Sequence, residues 1–213
     1  MSREKVSTSA SLGAITTNGP TTLRGRAKAD RRAALLRAAA ALFARSGFNG
    51  VSIEDLGAAV GVSGPAVYRH FTGKQAVLAA LLVDVSKELV AGGASVISET
   101  ADVHVALHHL VRFHVSFALA NPDVIRVQDR DLDSLTESDR HDVRLLQREY
   151  VELWVRVLQQ VHPAVDETHL RIRAHATFGL LNSTPHSARA AAQPDVAGVL
   201  EEMALAALSP GAK

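Results

Sequence analysis

Residues 52–74 read SIEDLGAAVGVSGPAVYRHFTGK. Ser52 is a good N-cap, and Asp55, three positions on, suits the positive end of a helix dipole. Ile53, Leu56 and Val60 share one side of that helix, and Gly61 stops it. Val62 turns inward and Ser63 caps again. Pro65 then falls in the first turn of a further helix, where its missing N–H costs nothing. The pattern predicts that this helix runs to about Phe71 before Thr72-Gly73 breaks it. Two short helices joined by Gly61-Val62-Ser63 form a helix-turn-helix, whose second helix enters the major groove with its N-terminal residues against base edges. Those residues are small here (Ser63, Gly64, Pro65 and Ala66), so the backbone can approach the groove closely. Tyr68, Arg69, His70 and Lys74 are long enough to reach phosphates or bases.

Upstream, Ala33, Leu36, Ala40, Phe43 and Ala44 recur at helical spacing from Asp30, and Gly47 supplies a stop. Phe43, Ile53, Leu56, Val62, Val67 and Phe71 are the expected core of this three-helix unit. Downstream, a fourth helix is predicted from Lys74 to about Val90, near Gly92-Gly93. Five more follow, over about 103–120, 122–132, 137–161, 167–182 and 194–208, with Asn121-Pro122, His162-Pro163 and Thr184-Pro185 as breaks. The expected fold is all-α with about nine helices: an arm over 1–23 with no apolar period, a DNA-binding domain over 24–74, and a ligand-binding and dimerisation domain over 75–213.

The chain has 213 residues, of which 47% are hydrophobic but only 4% aromatic, an Ala- and Leu-rich mix that favours helix. It contains no Cys, which excludes disulfides, Cys-ligated zinc and thiol catalysis. No apolar run reaches the roughly 18 residues of a membrane span, and the N-terminus has no signal-peptide pattern, so a soluble, cytoplasmic protein is expected. The overall charge of +1 conceals a strong asymmetry. Residues 24–80 carry nine Lys and Arg against three acids, a net +6, whereas residues 81–213 carry twelve against eighteen, a net −6. A basic head on an acidic body points to a polyanion partner for the head. Arg24, Arg26 and Lys28 are its leading phosphate candidates, and the N-terminus of the Ser52 helix can also receive a phosphate.

GVSGPAVYRHFTGKQAVLAALL (61–82), preceded by AALLRAAAALFARSGFNGVSIEDLGAAVGVS (33–63), resembles the signature of the TetR family of bacterial repressors over about residues 30–82. The resemblance implies phosphate contacts at Tyr68, His70 and Lys74, and dimerisation through the predicted helices at 167–182 and 194–208. It also implies a palindromic DNA operator and a small-molecule effector. Gly64-Pro65 departs from the family pattern, in which many members carry a longer polar residue first. The segments RVQDRDLDSL (126–135), REYVELWVRVL (148–158) and HATFGLLNSTPHS (175–187) are similar to actinobacterial members associated with fatty-acid or acyl-CoA metabolism.

Candidate effector residues lie on the middle helices. His109, Arg112 and Ser116 form a polar stripe beside the apolar Phe113 and Phe117 of the fifth helix, which either lines a pocket or faces solvent. Gln128 and Arg130 can hold a polar end, although Asp129, Asp131 and Asp133 are close enough to pair with the arginine. Tyr150, Trp154 and Phe178 are core residues, pocket walls or both. His104 and His108 stand at i, i+4, but with no Cys and no His-Glu-x-x-His pattern a metal site is not expected. No G-x-S-x-G elbow, P-loop or GxGxxG occurs, so neither catalysis nor a cofactor is expected. The competing readings are a helical hydrolase or metalloenzyme, and an architectural DNA binder without an effector.

Overall fold

The first helix, α1 (Leu23–Ser46), buries Leu35, Leu36, Ala39, Ala40, Phe43 and Ala44 along one stripe. It starts earlier than the apolar pattern alone indicates, because its first turns carry the exposed basic residues Arg24, Arg26 and Lys28 and have no core face. Gly47 ends it at φ 77°, a left-handed turn that glycine adopts without strain, and the Gly47 N–H donates to Phe43 O at 2.8 Å. The computed structural model describes residues 23–187 and 193–209, so the rest of the predicted arm and the Ala-rich stretch before the last helix lie outside the described residues.

The elements after α1 are α2 (Ile53–Ala59), α3 (Gly64–Val67), α4 (Lys74–Ser98), α5 (Val103–Ala120) and α6 (Pro122–Asp131). A 3-10 turn (Leu132–Ser134) leads to α7 (Glu137–Val161), α8 (Glu167–Leu181), the single turn α9 (Thr184–Ser187) and α10 (Gln193–Leu208). All described regular structure is helical, and no described helix is long and apolar enough to cross a membrane.

Two apolar clusters organise the chain. One joins α1, α2 and α3 to the first half of α4, to Val124 and Val127 of α6, and to Val143 at the start of α7. The other is built from α5, α7, α8 and α10 around Trp154, which is fully buried. α4 spans both, contributing Leu78, Leu81 and Leu82 to the first and packing Leu89 and Val90 against the second. It therefore runs from the head into the body without interruption.

Sequence and structure differ at three further boundaries. α4 continues through Gly92-Gly93 to Ser98. The glycines serve close packing here: an added Cβ would lie 2.3 Å from Phe113 Cζ at Gly92 and 2.8 Å from Tyr150 Cε2 at Gly93. α3 is one short turn, after which Arg69 N and His70 N reach carbonyls three residues back, at 3.3 and 2.9 Å. The Thr184-Pro185 break contains the turn α9, whose Thr184 hydroxyl donates to Ala118 O at 2.9 Å.

Replacing Gly93 with Ala is predicted to destabilise the fold by about 1–3 kcal/mol in urea denaturation, because the buried Tyr150 ring cannot retreat. Helix propensity alone gives the opposite sign, a gain of about 1 kcal/mol, so the sign decides why the glycine is there.

Candidate DNA-binding head and effector cavity

The helix-turn-helix is locked by its own backbone. Ser52 Oγ accepts from Asp55 N at 3.1 Å, and Asp55 Oδ2 accepts from Ser52 N at 2.8 Å. The Ser52 hydroxyl, which donates to Asp55 Oδ2 at 2.7 Å, and secondly the Ser52 N–H hold the Asp55 carboxyl below the usual carboxylate range. Gly61 turns at φ 70°, and Val62 N returns to Gly57 O at 2.9 Å. A Cβ on Gly57 would meet Val62 O at 2.7 Å, so the tight α2–α3 crossing requires glycine there. Arg31 Nη1 donates to Val60 O at 3.1 Å, and Arg32 pairs with Asp84 at 2.6 Å, fixing α1 against the end of α2 and against α4.

Each DNA-contact candidate has a definite place. Ser52, Ser63, Pro65 and Arg69 are exposed, and Tyr68 is 54% exposed. Ala66 is half-buried, whereas Gly64 is buried with its Cα facing Glu54. Ser63 makes no side-chain cap bond, so its hydroxyl is not committed to the helix N-terminus. His70 is half-buried, and its pKa is pushed down first by desolvation and then by the charges of Lys28, Arg31, Arg32 and Arg69. Four cations thus lie close enough to act on one imidazole. Arg24, Arg26 and Lys28 are exposed at the start of α1, whose first turn contains no acid, so these cations oppose the helix dipole. Lys74 Nζ donates to Phe48 O at 2.8 Å and sits 4.4 Å from the Phe48 ring centre, leaving two of its three N–H donors for another partner.

In the body, a cavity of about 200 Å³ opens between α4, α6, α7 and α8. Of the effector candidates read from the sequence, Gln128, Tyr150 and Phe178 line it. Trp154 lies directly behind Phe178, edge-on at 5.0 Å between ring centres. Phe117 is buried 6.0 Å from the His114 ring, and Phe113 packs over Gly92. His109, Arg112 and Ser116 instead lie on an exposed face. His109 there contacts Thr100 Oγ1 at 3.3 Å, and Arg112 approaches Glu201 at 4.0 Å. Arg130 is held by Asp131 at 2.9 Å and donates to Phe43 O and, at 3.4 Å, to Ala44 O. It thus caps the C-terminal end of α1, not the cavity.

Sequence reasoning overlooked His114 as a cavity residue. Its imidazole is buried among Tyr150, Phe117, Trp154 and Phe178. Nδ1 lies 3.2 Å from Tyr150 OH and Nε2 3.1 Å from Asn182 Oδ1. Tyr150 donating to Nδ1 and Nε2–H donating to Asn182 satisfy a neutral ring. Burial pushes the His114 pKa down to about 4, against the weaker opposing effect of the Asn182 bond. Burial also pushes the Tyr150 phenol up. The available signal was a histidine standing on the otherwise apolar stripe of Leu107, Leu110 and Val111. Gln147 and His175 complete the polar wall, and like Gln128 they have no described hydrogen-bond partner.

Residues 35–81 match the family described as "Bacterial regulatory proteins, tetR family", and residues 100–186 match "Tetracyclin repressor-like, C-terminal domain". The HTH-type transcriptional repressor KstR2 of Rhodococcus jostii (strain RHA1) is 26% identical over 133 residues, 62% of this chain and 65% of that protein. The chain therefore spans slightly under two thirds of that relative's length. The TetR family transcriptional regulator PfmR of Thermus thermophilus superposes with a TM-score of 0.69 at 26% identity, over 80% of this chain and 96% of that one. The transcriptional regulator FadR of Bacillus subtilis, solved in complex with stearoyl-CoA, shares the fold with a TM-score of 0.66 at 14% identity, over 82% and 98% of the two chains.

The neutral His114 gives stability a definite pH dependence. Its folded pKa of about 4 lies below the ordinary 6.5, so the unfolded chain binds the extra proton between those values. Stability is therefore full above pH 6.5 and falls toward pH 4, by up to about 1.4 kcal/mol per pH unit. Urea titrations across this range are predicted to show a shallower fall for His114→Gln, which keeps a donor and an acceptor but does not titrate. Equal slopes would show that His114 is not the buried neutral group described.

Proposed function

The chain is a member of the TetR family of bacterial regulatory proteins, and on that premise we propose that it is a dimeric transcription repressor whose grip on a palindromic operator is set by an effector in the α4–α6–α7–α8 cavity. The observation that carries this reading is the span of α6. Gln128 lines the cavity, and two residues later Arg130 holds the last carbonyls of α1. α4 makes a parallel link: Ser86 and Leu89 line the cavity, and Lys74 at its start holds Phe48 O. An effector that prefers one position of α6 or α4 must move the head, and an effector indifferent to those positions cannot regulate.

The effector class we infer has an apolar body and a polar or anionic end, the class that includes fatty acids and acyl-CoA thioesters. The support is the wall itself, with Phe178, Leu89, Leu146 and Val151 facing Gln128, Gln147 and His175. A few directed polar groups in an apolar recess are the usual make-up of a small-molecule site. A volume of about 200 Å³ suits a short body, so a long chain needs the aromatic cluster behind Phe178 to part.

For the dimer seam we infer α8 and α10. Ile172, Val199 and Met203 are exposed there at 60%, 55% and 50%, the kind of apolar face a two-fold partner covers. Leu200 is 4% exposed within the protomer's own core, so it does not probe that seam.

Selection from random duplexes tests the reading as a whole. It is predicted to return a palindrome with half-sites about 34–36 Å apart or a multiple of that spacing, bound with a steep salt dependence. Met203→Asp is predicted to give monomers in sedimentation and to lose tight operator binding. Unselective, salt-insensitive binding would overturn the repressor reading, and a Met203→Asp dimer would move the seam elsewhere.

A further inference from the structure

α7 presents Arg144 and Arg148 four residues apart on an exposed face, and no described acid pairs with either. Like charges at this spacing destabilise a helix by a few tenths of a kcal/mol, and the acid four residues after Arg148, Glu152, is engaged by Arg171. Arg171 of α8 approaches the same place, its guanidinium fixed by Glu152 and Glu167. The three arginines, with Gln147, Val151 and His175, line a recess of about 310 Å³ whose lining contains no acidic side chain. Gln147, Val151 and His175 also line the effector cavity, so the recess and the cavity share a wall.

We propose that Arg144, Arg148 and Arg171 form an anion-binding mouth to the effector cavity, selecting amphiphiles whose short apolar body enters beside Phe178 while a carboxylate or phosphate stays at the mouth. This rests on the reading that the cavity is the effector site. The cavity walls include no Lys or Arg, so an anionic end has no counter-charge inside, whereas the mouth concentrates guanidinium groups suited to bidentate recognition of either anion. Arg171 arrives already oriented by its two glutamates, and Arg144 and Arg148 supply the uncommitted charge. Because the mouth joins α7 to α8, a bridging anion also ties the helix behind the cavity to the helix of the inferred dimer seam.

The test uses three probes with one six-carbon body: hexyl phosphate, hexanoate and hexan-1-ol. Binding is read from the emission of Trp154, the chain's single tryptophan, which touches the cavity through Phe178. The expected result is that one or both anions bind at least about tenfold more tightly than the alcohol at low salt, with the advantage shrinking as salt rises. In the Arg144→Ala/Arg148→Ala double variant, which leaves the Arg171 pairs intact, the anions should bind no more tightly than hexan-1-ol. A preference for hexyl phosphate assigns the mouth to phosphorylated ligands, and one for hexanoate assigns it to carboxylates. Equal affinity of all three probes for the native chain, or an anion advantage that survives the double substitution, overturns the mouth while the cavity reading stands. If no probe changes Trp154 emission, the cavity accepts no apolar body and both readings fall.

Discussion

The position of the DNA-binding head depends on one capping interaction. The last carbonyls of a helix have no partner within it, and in α1 two of them, on Phe43 and Ala44, are met by the Arg130 guanidinium of α6. Phe43 O also accepts the Gly47 N–H, so the end of α1 and the turn into α2 are fixed at the same atom. Asp131 sets the guanidinium fork from behind. Such a half-exposed charge-assisted bond contributes about 1 kcal/mol. That is small against the apolar cluster beneath it.

The same economy of position governs the body. α4 meets the head at Lys74 and the cavity at Ser86 and Leu89, and α6 meets the cavity at Gln128 and the head two residues on at Arg130. The cavity's polar lining comes from Ser86 of α4, Gln128 of α6, Gln147 of α7 and His175 of α8, and its large rings from Tyr150 of α7 and Phe178 of α8. His114 sits at the junction with both nitrogens bonded and its charge suppressed, which keeps the aromatic cluster in one arrangement. Replacing it with a purely apolar ring would leave Tyr150 OH and Asn182 Oδ1 without those partners.

The head was legible in the sequence because its determinants are local. Ser52 with Asp55, Gly61, and Pro65 at the start of α3 each act within a few residues of themselves, and α2 appears where they set it. The full length of α4 was not legible. Gly92-Gly93 carries the local signature of a helix end, and only the rings of Phe113 and Tyr150, distant in sequence, show why glycine stands inside a helix. The cavity was legible in part. Tyr150, Phe178 and Gln128 were singled out by residue type, but Arg112 and Arg130 were singled out by charge, and charge does not reveal which way a side chain is turned by its neighbours. Glu201 and the carbonyls of α1 are those neighbours, and both come from elements remote in the chain.

Native-state amide hydrogen exchange at Gly47, compared between the wild type and Arg130→Ala, tests most directly whether α6 holds the head. If the guanidinium secures the end of α1, Gly47 should lose about fivefold in protection when Arg130 is removed, the equivalent of about 1 kcal/mol. Amides around Trp154 in α7 should keep theirs. Unchanged protection at Gly47, or a loss shared equally by α7, would contradict a head positioned through α6.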